Sequence, residues 1–276
     1  MRVRLIPRSW LLDVEGPAEE VRALASVLDA RGFPWQCLGE GRELRTLAGA
    51  LLVLAEEGTL DLGQTLPRPP IDPGQVREAL SRLVHEGVLR EYQARAVFIG
   101  ITREKTLLEM PCGSGKTRVA AGLILMGSWI GGLPRWLYVV PNQELAAQAR
   151  REILQVLARG REILAGSSQT RFAPWQLDCL SYGSLLQRGG RDVDTDGIDG
   201  IIVDECHTCG ATERFRALLE HGPGKHWDIG MSATPLARQD SRNAWVLGLF
   251  GPVAYQVRVA DLEQQGYLAK GNPVKI

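Results

Sequence analysis

Lysine is scarce in this chain of 276 residues. Among 32 basic side chains only Lys105, Lys116, Lys225, Lys270 and Lys275 are lysines, and residues 1–88 contain none. A nuclease centre that combines paired carboxylates with a lysine is thereby excluded from that first third. Cysteines are also few: Cys37, Cys112, Cys179, Cys206 and Cys209 are odd in number and irregularly spaced. That rules out a disulfide framework and fits a reducing compartment. Long apolar runs are missing. The longest stretch without a charge runs from Val119 to Pro134. It falls short of the roughly 20 residues of a membrane span and glycines interrupt it, so it reads as a buried helix. The N-terminus, MRVRLIPRSW, lacks the apolar core of a signal peptide. These absences predict a cytoplasmic protein with no membrane partner.

What is present is a globular composition, 45% hydrophobic, with 32 basic and 32 acidic residues. The balance hides an uneven layout. Residues 1–88 carry 10 basic and 13 acidic groups, residues 89–190 carry 13 and 7, and residues 191–276 carry 9 and 12. The middle third is the place to look for a polyanion partner.

Segments 2–6 and 9–14 read as short strands around Pro7. Residues 17–31 read as a helix with Pro at its start, glutamates in the first turn and Gly32 after its end. Residues 42–57 read as a second apolar-periodic helix. The Pro- and Gly-rich run at 61–74 reads as a linker, and 74–86 as a further helix. From 104 onward the pattern is strand, loop, helix, repeated. Strands are predicted at 105–110, 135–140, 161–165, 177–181, 199–204 and 226–231, with helices at 116–127 and 142–158. Near-continuous apolar runs such as Leu137-Tyr138-Val139-Val140 and Ile201-Ile202-Val203 fit strands buried on both faces of a parallel sheet. The predicted fold is α/β, a P-loop domain with a mostly parallel central sheet behind a small α/β module. The division is 1–70 accessory module, 75–268 nucleotide domain and 269–276 the start of a linker. Ligands of such sheets sit at the C-terminal ends of strands.

Two such strand ends carry chemistry. Pro111-Cys112-Gly113-Ser114-Gly115-Lys116-Thr117 follows the strand at 105–110. Its glycines let backbone N–H groups curl around a phosphate, which the next helix faces with its positive end. Lys116 would reach the β/γ-phosphates and the Thr117 hydroxyl would bind Mg²⁺. Met110 stands where the strict pattern has glycine. Ile201-Ile202-Val203 then runs into Asp204-Glu205-Cys206-His207. Here Asp204 would hold Mg²⁺ through water, and Glu205 would orient and deprotonate the attacking water.

DECH at 204–207 after an apolar strand resembles motif II of the superfamily 2 helicases, whose lobes are RecA-like. Met231-Ser232-Ala233-Thr234-Pro235 resembles their motif III, which couples hydrolysis to nucleic-acid binding. Leu89-Arg90-Glu91-Tyr92-Gln93 resembles the element whose glutamine reads adenine. Val140-Pro141-Asn142-Gln143-Glu144-Leu145 resembles motif Ia, and Ser181-Tyr182-Gly183-Ser184-Leu185 resembles motif Ib. The tail from Phe250 to Leu268 and the Pro-Cys-Gly of the phosphate loop are similar to the branch containing XPB and phage UvsW. The resemblance implies an ATP-dependent motor with ATP and Mg²⁺ as cofactors. Lys116, Asp204 and Glu205 would be catalytic. Arg90, Gln93, Gly113, Ser114, Gly115, Lys116 and Thr117 would hold the nucleotide. Coupling falls to His207, Ser232 and Thr234, and nucleic-acid contact to Pro141, Asn142, Gln143, Tyr182 and Gly183. Asn142 is equally a candidate helix cap. Cys206, Cys209, His221 and His226 nearly reproduce a zinc-finger spacing, but Cys206 lies inside motif II and no ββα pattern surrounds it, so no zinc site is expected.

In that family ATP is cleaved between two lobes. The 41 residues after Pro235 are too few for a second lobe, so a longer or split motor is expected, with the second lobe as a partner and DNA as the track. RNA, a restriction-type translocase and a nucleotide-dependent binding module without motor activity are the alternatives.

Overall fold

The computed structural model describes residues 2–5, 10–38, 41–58, 71–165, 175–187, 197–210, 213–214, 217–218, 224, 226–237 and 242–269, the side chains of residues 2, 4 and 5 excepted. Two sheets organise them. The first is antiparallel, with strands β1 (Arg2–Leu5), β2 (Leu11–Glu15), β3 (Trp35–Leu38) and β4 (Glu43–Leu47) in the order β1-β2-β4-β3. Helix α1 (Ala18–Ala30) joins β2 to β3, and α2 (Ala48–Glu56) follows β4. The expected single helix over 42–57 is thus a strand and then a helix. Leu44, Leu47, Leu51 and Leu54 recur at helical spacing, but β4 is paired on both sides, with β2 and β3. Both Leu44 and Thr46 are buried, so the period-2 signal of the strand lay beneath a longer apolar one.

The second sheet has six strands, all parallel: β5 (Lys105–Glu109), β6 (Arg135–Val140), β7 (Gln176–Ser181), β8 (Gly200–Asp204), β9 (Trp227–Ser232) and β10 (Val253–Gln256), ordered β10-β5-β9-β8-β6-β7. Helices α3 (Pro73–His85), α4 (Glu91–Ile101), α5 (Lys116–Trp129), α6 (Gln143–Ala165), α7 (Tyr182–Gln187), α8 (Asn243–Phe250) and α9 (Val259–Gln264) complete the order. Asp72 caps α3 by accepting from the Gly74 N–H at 2.8 Å, with Pro73 at the first helical position. The strand expected at 161–165 is the end of α6. Ile153, Val156, Leu157, Gly160 and Leu164 are buried in one continuous helical stripe, and that periodicity overrides the local apolar run Ile163-Leu164. Strands β3 and β10 escaped the sequence reading because they are short and mostly half-exposed.

The two sheets share apolar packing. Trp10, Leu12 and Leu51 belong to the same buried cluster as Leu107, Val203 and Phe250. Helices α2 and α8 approach so closely that a Cβ on Gly49 would lie 2.3 Å from the Leu247 carbonyl oxygen, which only glycine permits. Trp136 and Trp227 stack at 5.1 Å on the other face. No helix among the described residues is long and apolar enough to cross a membrane.

Candidate active site

Strands β5, β9 and β8 are neighbours, and all three end at the same rim. The phosphate loop leaves β5, the Met231–Pro235 turn leaves β9 and the carboxylate pair ends β8. At the phosphate loop, Gly113 and Gly115 have φ of 76° and 80°, left-handed values that curl the backbone where other residues would be strained. Gly115 caps α5, and a Cβ there would meet the Gln93 Nε2 at 2.5 Å. Met110, the departure from the strict pattern, is fully buried, and its N–H donates to the Ser232 carbonyl at 2.8 Å. The loop is therefore anchored to the β9 turn through backbone, which asks nothing of the side chain at 110.

The Lys116 Nζ donates to Glu205 Oε1 at 2.9 Å. Burial works to lower the Lys116 ammonium, but the bond to Glu205 and the charges of Asp204 and Glu205 outweigh it and hold the group above its ordinary value. Asp204 is pinned from both sides: Oδ2 accepts from the Tyr138 hydroxyl and Oδ1 from the Glu205 N–H, each at 2.9 Å. Burial raises its carboxyl, and the nearby Lys116 only partly offsets this. Glu205 is the one non-glycine among the described residues with positive φ, 49°. Such a backbone costs of order 1–3 kcal/mol and persists where surroundings enforce it. Here the Thr208 hydroxyl and N–H both donate to the Glu205 carbonyl. His207 Nδ1 lies 2.8 Å from Ser232 Oγ and 3.5 Å from Glu205 Oε2, and Ser232 Oγ accepts from the Thr234 N–H at 3.1 Å. A chain of polar contacts thus runs from Lys116 through Glu205 and His207 to the β9 turn.

Gln93 is 2% exposed. Its Oε1 accepts from the Arg90 N–H at 3.0 Å and its Nε2 donates to the Ser114 carbonyl at 2.9 Å. The Tyr92 hydroxyl donates to the same carbonyl at 2.7 Å. Arg90 lies over the Tyr267 ring at 4.5 Å, and Leu268 approaches Gly113. The segment after α9 therefore packs on both the Arg90–Gln93 element and the phosphate loop. Sequence reading had found Arg90 and Gln93 but not Tyr92, Tyr138 or Tyr267, whose partners are distant in the chain.

Residues expected to meet nucleic acid lie at the same rim beyond β8, after β6 and β7. Asn142 Oδ1 accepts from the Leu145 N–H at 2.9 Å, capping the start of α6, and the Gln143 Nε2 donates to Ser184 Oγ at 3.3 Å. Asn142 and Gln143 are exposed, and Pro141 is half-buried. Gly183 faces open space, its would-be Cβ meeting only Ser181 Oγ at 3.8 Å. Tyr182 is different. It is 2% exposed, with its hydroxyl 2.9 Å from Cys209 Sγ, so its ring supports this surface from beneath. Among the zinc-spaced residues, Cys206 and Cys209 are fully buried, and burial holds both thiols protonated, Cys209 at about 12. His221 lies outside the described residues.

The donor set fits a nucleotide with its cation. A carboxylate and a hydroxyl, Asp204 and Thr117, are hard oxygen ligands of the kind Mg²⁺ takes alongside phosphates and water. The Ser114 hydroxyl, buried in the loop without a hydrogen-bond partner, is an unsatisfied donor of the kind that marks a functional site.

Comparison with known proteins agrees with this geometry. The DNA 3'-5' helicase XPB of Kineococcus radiotolerans is 28% identical over 194 residues, covering 68% of this chain and 33% of the relative. The DNA 3'-5' translocase XPB2 of Sulfurisphaera tokodaii is 27% identical over 182 residues, 66% of this chain and 38% of the relative. This chain spans about a third of the length of these relatives. The crystal structure of the UvsW helicase from bacteriophage T4 superposes with a TM-score of 0.63 at 15% identity, covering 92% of this chain and 98% of that one. Such coverage extends beyond the six-stranded sheet onto the N-terminal one. A family model described as the type III restriction enzyme res subunit matches residues 86–237. That is more than half of the chain, which therefore belongs to this family and contains its helicase-type ATPase domain.

Proposed function

We propose that the chain is the ATP-binding motor lobe of an ATP-dependent DNA helicase or translocase working with Mg²⁺. The observation that carries this is the Lys116–Glu205 pair at 2.9 Å, its lysine buried and its carboxylate partly open, flanked by Asp204. It brings the phosphate lysine to the carboxylate expected to act as base. When triphosphate enters the loop, Lys116 turns to the β/γ-phosphates and Glu205 is released to take a proton from water. Asp204 and Thr117 hold the cation that neutralises phosphate charge. Arg90 and Gln93 border the base. His207, Ser232 and Thr234 link the γ-phosphate side to the β9 turn. Pro141, Asn142, Gln143 and Gly183 offer the nucleic-acid surface, with Tyr182 beneath it.

DNA is carried over from the names of the two XPB relatives. We assign residues 1–70 to an accessory module, 75–268 to the motor lobe and 269–276 to the start of a linker toward a second lobe. An arginine finger is worth about 10³–10⁵ in rate in related enzymes. The 276 residues span about a third of their XPB relatives, and on this reading they bind ATP by themselves but hydrolyse it feebly and unwind nothing. Strong DNA-stimulated turnover by the isolated chain would overturn that. The test of the site is nucleotide binding and ATPase activity of the full-length protein with duplex, forked and single-stranded DNA and with RNA, alongside Lys116→Ala. Loss of both in the variant is expected, and retention of wild-type binding and turnover would sink the assignment.

The family description favours a second reading, the motor of a restriction-type translocase. ATP-driven DNA movement without strand separation in the full-length protein would select it.

A further inference from the structure

Tyr138 lies in the middle of β6, fully buried, and belongs to none of the motif elements. Its hydroxyl donates to Asp204 Oδ2 at 2.9 Å. A buried phenol thus holds one of the two side chains read above as the cation's protein ligands.

Ionised Asp204 can only accept, so the single Tyr138 proton goes to it. Tyr138 and the Glu205 N–H each occupy one Asp204 oxygen, fixing the plane of the carboxylate. Partners of this kind orient ligands without touching the metal.

We propose that Tyr138 is a positioning residue for the cation site, holding the Asp204 carboxylate in ligating orientation through the bond from its buried hydroxyl. The inference rests on the ATP–Mg²⁺ reading above. It differs from a packing role in what it predicts: removal of one oxygen weakens the cation and leaves the phosphate grip of the loop alone.

The experiment is a titration of a fluorescent ATP analogue on the full chain, in EDTA and across a range of Mg²⁺, with wild type, Tyr138→Phe and Lys116→Ala. Phenylalanine keeps the ring in the core. The Mg²⁺ concentration for half-maximal tightening is expected to rise roughly tenfold or more in Tyr138→Phe, with affinity in EDTA unchanged. Direct Mn²⁺ binding in the presence of ATP, followed by electron paramagnetic resonance, should show the same shift. An unchanged Mg²⁺ dependence overturns the positioning role, and so does an equal loss with and without Mg²⁺, which would mark a structural role. Lys116→Ala should lose affinity in both conditions. If wild type binds no nucleotide at all, the ATP reading fails and the positioning role with it. If only Tyr138→Phe is silent, the ATP reading stands alone.

Discussion

Two lysine–carboxylate pairs lie at opposite edges of the parallel sheet. At the N-terminal edge, Lys105 opens β5 and donates to Asp228 of β9 at 2.6 Å. At the C-terminal edge, Lys116 follows β5 and donates to Glu205 beyond β8 at 2.9 Å. The chemistry is the same and the surroundings are not. Lys105 also donates to the Leu249 carbonyl and lies 4.4 Å from the Trp10 ring centroid, while Asp228 accepts from the Gly224 N–H. That pair is closed, and it ties the N-terminal sheet to the six-stranded sheet. Glu205 is 28% exposed, sits on a positive-φ backbone and is shared with His207. That pair is open to exchange. In open parallel sheets ligands bind outside the C-terminal strand ends, so position along the strands separates a pair that fastens the two sheets from the pair proposed above to meet the nucleotide.

The sharpest way to break this contrast is to substitute one member of each pair. Glu205→Gln should lower ATP turnover of the full-length protein by about 10²–10⁴, the usual worth of a general base. Nucleotide affinity and melting temperature should stay near wild type; a variant that melts early instead would make Glu205 structural. Lys105→Met should do the reverse. It strands Asp228, and breaking a buried pair this way costs about 3–5 kcal/mol, read by denaturant unfolding. The surviving folded fraction should still bind nucleotide normally. If its affinity fell as far as that of Lys116→Ala, the two edges would not be separable.

A smaller effect sharpens the active edge. Burial holds the Asp204 carboxyl above its unfolded value. Its ionised form therefore costs stability. The cost is absent below the unfolded pKa of about 3.9, grows as pH rises through the folded pKa and is fully present above it. Asp204→Asn removes it, so the variant should melt higher than wild type at pH 7, with the gap closing toward pH 4, while Mg²⁺-dependent activity is lost. A lower melting temperature at pH 7 would mean that the carboxylate is a net stabiliser through Lys116.

The legible parts of this molecule are those whose chemistry is local. A phosphate loop needs its glycines, lysine and hydroxyl in one short run, and Asp204 and Glu205 had to end an apolar strand, so both were readable from spacing. Helix α3 was legible only from 74, because its Asp72 cap and Pro73 lie at the end of the Pro- and Gly-rich run that reads as linker. Tyr138 was hidden because its apolar strand context says core and its partner Asp204 is remote in sequence. Tyr267 was hidden likewise, since its partner Arg90 is remote. Tyr182 shows the converse: its motif was legible, but its burial against Cys209 was not. The strand at 43–47 and the end of α6 were misread where two periodicities overlapped and tertiary pairing chose between them.

The contact between Gly49 and the Leu247 carbonyl has a practical side for anyone wishing to trim this protein. A boundary drawn at the Pro- and Gly-rich run of 61–74 looks convenient, but cutting there would peel α2 from α8. It would uncover Phe250, whose ring meets Trp10 edge-on at 6.0 Å, and Gly248, which packs against Leu47. A shortened clone beginning near residue 71 is thus expected to aggregate. The first 58 residues belong in every expression plasmid meant to yield the folded ATPase domain.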